Sequence, residues 1–249
     1  MMRLYRLGMM IVLGIVMLAA CGGQAPAAPT EVATITDDGP TSTPTEPTAV
    51  ATDAPAPAAT RVGADYVLLL PREAAVPAGW LINPSPAYET RQPAPGDTYR
   101  YACQDLTARS VGQASVGYRS LEGLPNVFIE YVIYPTAEAA AEALADMQTA
   151  TADCGEFTIG EGEGATQAAF APLEFPAHGD AGFAAALSTQ SAQAGGLLTH
   201  VVKVRQGHVI IGISHANTAG GDPPDMALTE SLVALAAGNL ADGPAAPGP

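Results

Sequence analysis

Two histidines in the C-terminal part of the chain are the residues best placed to do chemistry. His200 and His215 belong to a predicted hairpin, residues 197–215, whose tight turn we assign to Gln206 and Gly207. This register sets the two imidazoles diagonally across the apolar face, with Cβ atoms about 7 Å apart, so they could share a Zn²⁺ ion if a third ligand joined them. No spacing in the sequence suggests that ligand, and backbone partners would satisfy two such histidines equally well. His200 and His215 are therefore a candidate metal pair.

Residues 212–216, Gly-Ile-Ser-His-Ala, are close to the G-x-S-x-G motif of hydrolases. A nucleophile elbow needs a helix directly after the serine, and then an acid and a histidine further along the chain. The next predicted helix starts at Asp222, and His215 is the last histidine. The sequence also lacks HExxH, CxxC and paired carboxylates. We therefore predict that the protein is not an enzyme and needs no cofactor.

Tyrosines are the other candidate binding groups, because the chain contains eight of them in an acidic background. Tyr99, Tyr101, Tyr118 and Tyr134 are the four that we expect to line a cleft at the open end of a sheet. The competing interpretation is that most of them pack inside the protein. The single tryptophan, Trp80, is interpreted as a core anchor rather than a binding platform.

The N-terminus has the order of a secretory signal. Arg3 and Arg6 precede a short apolar run, residues 7–18, which is too short to span a membrane permanently. The Leu-Ala-Ala-Cys sequence that ends at Cys21 resembles the lipobox of bacterial lipoproteins, which implies cleavage of residues 1–20 and acylation of Cys21 with fatty acids such as palmitate. Two acyl chains suffice for stable attachment. We expect a lipid-anchored protein on the extracytoplasmic face of the cell membrane; the alternative is a buried apolar helix with a chance cysteine.

The cysteine count then predicts a disulfide. Of three cysteines, removing Cys21 leaves Cys103 and Cys154 as an even pair in an oxidising compartment. Two separate buried thiols are the alternative.

Charge excludes one class of partner. The net charge is −15 and becomes −17 once Arg3 and Arg6 are removed with the signal. A surface this acidic does not attract nucleic acid, and it does not dock on anionic lipids, so the acyl chains must provide the attachment.

Composition divides the rest of the chain. Residues 21–60 are rich in Pro, Thr and Ala and predict a disordered tether, because they cannot bury enough apolar surface to fold. Residues 61–242 fit one domain, and residues 243–249 form another Pro- and Gly-rich tail.

Apolar patterning within residues 61–242 predicts strands and helices in one layered domain. A short helix is expected around Pro71 and a Pro-rich loop at 83–97. Residues 111–119 and 126–134 alternate in the manner of a hairpin, and Thr136 is placed to cap a helix that ends at Cys154. Four further strands are predicted at 165–171, 180–189, 197–204 and 209–215, with Val204 opposite Val209. A final helix is predicted from Asp222 to about residue 237, with Leu228, Leu232 and Leu235 as its apolar stripe and Gly238 as its end. The fold class is α+β, with an antiparallel sheet of about five to six strands packed with two main helices.

The order of these segments resembles a known sensor family. The carriers of the resemblance are Leu-Leu-Pro at 69–71 with Val-Pro-Ala-Gly-Trp at 76–80, Val-Ile-Tyr-Pro-Thr at 132–136, an Ala-rich helix closing on Cys154 and Gly155, and the hairpin at 201–213. Over residues 65–240 this is similar to the extracytoplasmic sensor domain of PknH-type bacterial Ser/Thr kinases and of lipoproteins that carry the same domain. The resemblance implies an α+β domain with helices around a cleft that binds or senses a ligand.

We therefore expect a membrane-anchored, non-enzymatic domain that binds a small molecule or an envelope component. The alternative is an interaction module for another envelope protein, and a secreted hydrolase comes third. An exposed apolar patch favours the interaction module, whereas a closed cleft favours small-molecule binding.

Overall fold

The computed structural model describes residues 63–191 and 195–242. The predicted signal peptide, acylation site, tether and tail lie outside these ranges and stay predictions. Across the described ranges, no helix combines the length and apolarity needed to cross a lipid bilayer.

A nine-stranded antiparallel sheet forms the centre of the domain, in the order β1-β5-β6-β11-β10-β9-β8-β7, with β2 also paired to β5. Two further strands, β3 and β4, pair only with each other. The strands are β1 (Leu81–Ile82), β2 (Ala87–Thr90), β3 (Thr98–Tyr101), β4 (Gln104–Thr107), β5 (Gly112–Arg119), β6 (Asn126–Ile133), β7 (Glu156–Ile159), β8 (Thr166–Pro172), β9 (Ala181–Ser191), β10 (Gly195–Gln206) and β11 (Val209–Thr218).

The predicted α+β class is confirmed, and the sheet is wider than expected because short edge strands were missed. Both β1 and β2 pair with β5, in a segment that was expected to be mostly loop. Pro84 and Pro86 lie between them, and proline is tolerated only at the edge of a sheet because it donates no ladder hydrogen bond. The prolines therefore divide an edge strand in two rather than abolish it.

In the described part of the chain, three α-helices pack on the sheet: α1 (Gly63–Leu69), α2 (Ala137–Asp153) and α3 (Met226–Asp242). The cap predicted for α2 is confirmed, since Thr136 Oγ1 accepts a hydrogen bond of 3.1 Å from the Ala139 N–H, and Cys154 follows the last turn. Near Pro71 the chain forms α1 before the proline and a 3₁₀ turn (Glu73–Ala75) after it, because proline cannot continue a helix interior.

Helix α3 differs from its prediction at both ends. Its N-cap is Asp225 rather than Asp222, because the Asp225 carboxylate accepts hydrogen bonds from the next N–H groups of the helix. Helix α3 runs through Gly238 to Asp242, and Leu240 in that last turn is buried. This burial outweighs the cost of a helical glycine, about 1 kcal/mol. Leu235 lies outside the apolar stripe and is exposed.

The two faces of the sheet carry different helices. Helices α1 and α3 cover one face, which we call the α3 face, and α2 covers the other, the α2 face. Trp80 is buried on the α3 face, as predicted. Tyr131 ties the layers together there, because its hydroxyl lies 2.9 Å from the carbonyl oxygen of Leu69 in α1 and 3.1 Å from that of Ala236 in α3.

The turn of the β10–β11 hairpin is shifted from its predicted position. Gln206 pairs with Val209, so the turn residues are Gly207 and His208. Gly207 has φ +60°, and a hairpin turn with positive φ at its first central residue favours glycine there. The pairing moves by two residues, which keeps every side chain on its predicted face. As a result, His200 lies directly opposite His215 instead of diagonal to it.

Candidate functional site

A small hairpin covers part of the α2 face. Strands β3 and β4, with the turn between them, span residues 98–107, and we call this hairpin the flap. Leu106 anchors it in the core of the α2 face, and Cys103 in its turn is bonded to Cys154 at the end of α2. The disulfide predicted from the cysteine count is therefore present, and it joins the tip of the flap to the helix.

Polar contacts hold the same hairpin along α2. The Tyr101 hydroxyl lies 3.3 Å from Thr151 Oγ1, and Gln104 Nε2 donates to Asp153 Oδ2 at 3.4 Å. Just beyond the flap, Arg109 Nη1 lies 2.6 Å from Asp146 Oδ2. These pairs are partly exposed, so each one contributes little.

A buried ion pair crosses the α2 face near the flap. Lys203 Nζ on β10 donates to Glu130 Oε1 on β6 at 2.6 Å, and both side chains are buried. Strand β11 lies between them, and the residue in register with both is Gly212. A Cβ atom at Gly212 would lie 2.6 Å from both Glu130 Oε1 and Lys203 Nζ. The glycine therefore leaves the space through which the two charges meet.

The polar row continues toward the edge of the sheet. Gln113 Nε2 on β5 donates to the other carboxylate oxygen of Glu130 at 2.6 Å. Arg91 in turn donates to Gln113 Oε1 and reaches Ser110 Oγ at 3.4 Å. Both oxygens of the buried carboxylate are thus hydrogen-bonded, as burial of a charge requires.

Ionisation in this region follows from burial. Tyr99 of the flap is 36 % exposed, yet loss of solvation raises its pKa to about 12, although the nearby Lys203 charge opposes the increase. Burial likewise raises the pKa of Tyr134. Burial alone would lower the pKa of Lys203, but the charge and hydrogen bond of Glu130 outweigh it and raise that pKa. The phenols therefore stay neutral while Lys203 stays charged.

The structure separates the four predicted tyrosines. Tyr99, Tyr101 and Tyr134 lie together on the α2 face, around the flap. Tyr118 is buried on the α3 face, where its hydroxyl donates to the carbonyl oxygen of Pro71 at 2.6 Å. A single cleft lined by all four is therefore wrong, and whether any of them contacts a ligand stays a prediction.

Tyr118 instead borders a recess of about 250 Å³ between α1 and the β1 edge of the sheet. The lining is mainly apolar and consists of Val67, Leu68, Leu70, Pro71, Arg72, Glu73, Ile82, Pro86 and Tyr118. Two of these residues, Leu68 and Ile82, are 64 % and 42 % exposed. The recess is therefore a partly enclosed apolar hollow with exposed residues at its rim.

The two histidines share one hydroxyl group. His215 Nδ1 lies 2.9 Å and His200 Nδ1 lies 3.4 Å from Thr229 Oγ1 on α3. The Thr229 hydroxyl itself donates to the carbonyl oxygen of Asp225 at 2.9 Å, so it accepts from the imidazoles, and both carry their proton on Nδ1. Burial lowers the pKa of His200, and burial together with His200 lowers that of His215 to about 4. Both rings are neutral at neutral pH.

No third protein ligand accompanies His200 and His215 in the described residues. Among residues 63–191 and 195–242, no group of three His, Cys, Asp or Glu side chains is placed to hold an ion. The Nδ1 atoms of His200 and His215 are engaged by Thr229. Metal binding by the pair stays a prediction.

Sequence reasoning missed the ion pair, although the sequence carries a signal for it. Lys203 is the only lysine of the chain, and it stands between valines in a strong strand pattern. Glu130 likewise interrupts an apolar strand. A charged residue in the middle of a two-sided apolar strand needs a partner of opposite charge, so the two could have been paired.

The fold has a solved counterpart. It resembles the extracellular domain of PknH from Mycobacterium tuberculosis, with a TM-score of 0.55 and 10 % sequence identity, over 73 % of this chain and 97 % of that domain. No protein-family model matches the sequence, and no curated protein is significantly similar to it. At this identity the likeness establishes the fold alone.

Replacing Lys203 by methionine should lower the free energy of unfolding by about 3–5 kcal/mol, because the carboxylate of Glu130 would remain buried without a counter-charge. Adding Glu130→Gln should restore more than half of the loss, since the amide is neutral and still accepts from Gln113. Urea unfolding followed by Trp80 fluorescence measures both variants. A loss below about 1 kcal/mol for Lys203→Met would show that the pair behaves like a solvated surface pair.

Thr229→Val should destabilise the domain by about 2 kcal/mol, because two buried imidazole N–H groups lose their acceptor. Ser231→Ala is the matched control on the same helix, since that exposed hydroxyl only donates to the carbonyl oxygen of Leu228. It should change stability by less than about 0.5 kcal/mol. Equal losses for the two variants in the same urea assay would contradict the bridging role of Thr229.

Proposed function

We propose that this protein is an extracytoplasmic lipoprotein whose folded domain binds the apolar part of a small molecule or envelope component, without catalysing a reaction. The observation that carries the proposal is the recess beside α1, with its mainly apolar lining and exposed Leu68 and Ile82. Exposed apolar side chains that border a concave surface are typical of binding sites.

The lining of the recess suits an apolar group with a polar end. Leu68 and Ile82 offer exposed aliphatic surface, whose burial is favourable by about 25 cal/mol per Å². Tyr118 presents a ring that is held in place because its hydroxyl is bonded to the Pro71 carbonyl oxygen. Arg72 lies in the same lining and supplies a charged group. A ligand could therefore bury its chain against Leu68 and Ile82 and leave its polar end near the arginine.

The position of the recess and the kind of fold both support a sensing role. Helix α1 begins at Gly63, immediately after the predicted tether at 21–60, so the recess is built on the first element of the domain. The structural counterpart is the extracellular domain of a protein named PknH, which fits a location outside the cytoplasm. We therefore propose that a tethered domain presents this recess to the cell envelope.

Docking of another envelope protein is the second candidate function. Leu81 and Leu121 are exposed like Leu68 and Ile82. Leu81 pairs with Arg119 at the end of β5, and its side chain points to the face opposite that of Ile82. Leu121 follows in the turn after β5, so exposed apolar residues continue around this edge of the sheet. An apolar edge of this kind also fits a protein partner.

Ile82→Ser should weaken binding of the neutral apolar dye N-phenylnaphthylamine about fivefold, because the dye loses roughly 1 kcal/mol of apolar contact. Val111→Ser is the matched control, since Val111 is 37 % exposed and precedes the opposite end of β5. Dye fluorescence titrations of the two variants and the parent protein provide the measurement. Equal affinity for all three would remove the recess as the binding site, and envelope-protein cross-linking at position 82 without dye binding would favour the second candidate.

Cys21→Ser should move the protein from the membrane fraction to the soluble fraction, because the proposed acyl chains would have no attachment site. Cys103→Ser is the control that removes a different cysteine and should leave membrane attachment unchanged. Fractionation of cells fed radiolabelled palmitate measures both properties. Palmitate incorporation that persists in the Cys21→Ser variant would contradict the anchor.

A further inference from the structure

We propose that the disulfide between Cys103 and Cys154 is a redox latch: its reduction releases the flap from α2 and admits water to the buried Glu130–Lys203 pair. The latch lies on the α2 face, whereas the recess of the proposed function lies beside α1 on the α3 face. The two proposals therefore rest on different residues.

The flap depends on the disulfide because little else fixes it. Strands β3 and β4 form a separate two-stranded sheet and share no ladder with the main sheet. Leu106 is the only buried residue of the flap. The polar contacts of Tyr101 and Gln104 with α2 are long, at 3.3 and 3.4 Å. Breaking the covalent bond leaves Leu106 and the half-buried ring of Tyr101 as apolar anchors, together with weak polar contacts.

The turn of the flap also holds a strained backbone conformation. Ala102, immediately before Cys103, has φ +53°, and it is the only residue other than glycine with positive φ in the described part of the chain. An alanine in this left-handed region is unfavourable and persists only when its surroundings impose it. Tyr101 pairs with Gln104, so Ala102 is the first central residue of a two-residue hairpin turn, which itself requires positive φ at that position. The disulfide from the next residue, Cys103, fastens this turn to α2.

The two sulfur atoms differ in access, which sets the direction of the exchange. Cys103 is half-buried, whereas Cys154 is 2 % exposed. The thiolate of an envelope dithiol protein attacks Cys103 Sγ, and the electron pair of the broken S–S bond leaves on Cys154 Sγ. The Cys103 N–H lies 3.2 Å from that sulfur and stabilises the departing thiolate.

The exchange balances as a two-electron reduction. The second thiolate of the dithiol protein attacks its own sulfur in the mixed disulfide and expels the Cys103 thiolate. The dithiol protein is oxidised to a disulfide, and its two protons end on Cys103 and Cys154. No other reactant is needed.

Release of the flap changes the α2 face chemically. Leu106 and Tyr101 of the flap pack in the same cluster as Val132 and Ile210. These two residues are the same-face neighbours of Glu130 and Gly212 along β6 and β11, so the flap lies beside the ion pair. The neutral ring of Tyr99 lies near the Lys203 charge. When the flap moves, water reaches the ammonium group of Lys203 and the carboxylate of Glu130, whose attraction is strong only where solvent is excluded. The reduced protein thus presents a polar row where the oxidised protein presents a closed surface.

Lys203 provides the test, because it is the only lysine in the chain. The full chain is treated with an acetylating N-hydroxysuccinimide ester, with and without dithiothreitol, and acetylation of Lys203 is followed by mass spectrometry. Reduction should accelerate acetylation at least tenfold. The double variant Cys103→Ser, Cys154→Ser should react at the fast rate in both conditions, while hydrogen exchange in α3 stays slow.

Two controls separate flap release from general unfolding. The Thr229→Val variant loosens the α3 face and keeps the disulfide, so its Lys203 should be acetylated at the slow rate of the oxidised parent protein. An unchanged acetylation rate after reduction would overturn the proposal. It would equally be overturned if reduction accelerated hydrogen exchange in α3 as much as in the flap, because the disulfide would then stabilise the whole domain rather than latch one hairpin.

Discussion

The ion pair between Glu130 and Lys203 is the interaction on which the α2 face depends. Two charges taken out of water lose their hydration, and their mutual attraction repays that loss only when every polar atom finds a partner. Gln113 satisfies the second oxygen of Glu130, and Gly212 leaves the gap in which the charges meet. The ion pair therefore accounts for one residue on each of four neighbouring strands, β5, β6, β11 and β10.

On the α3 face, the buried polar groups are neutral rather than charged. Thr229 there bridges two neutral imidazoles, so α3 is positioned by hydrogen bonds that carry no charge. Tyr131 and Asn239 both reach the carbonyl oxygen of Leu69, which fixes α1 against α3. Because α1 forms one wall of the recess, the shape of the recess depends on these buried contacts. The flap on the other face is instead held mainly by a disulfide.

Periodicity alone predicts most of this fold. Alternation in β5, β6 and the β10–β11 hairpin identifies strands and their faces, and Thr136 marks the start of α2. The candidate site is harder to predict. Alternation shows on which face of the sheet a side chain lies, but it does not show which helix or hairpin packs over that face. Tyr118 and Tyr134 already point to opposite faces by this rule, so a shared cleft contradicts the strand pattern itself. The flap escapes prediction because its strands are short and polar, with one buried residue.

The register of the β10–β11 hairpin is determined by the buried ion pair as well as by the residues of its turn. A turn at Gln206 and Gly207 would place Lys203 opposite Ile210, whose side chain occupies the same face and would block the path to Glu130. The observed turn places Lys203 opposite Gly212, the residue that is also in register with Glu130. A two-residue slip keeps every side chain on its correct face, so burial of apolar surface does not distinguish the two registers. The requirement to pair the buried Lys203 with Glu130 selects the observed register. The same register also places Gly207 at the first position of the turn, where glycine is preferred.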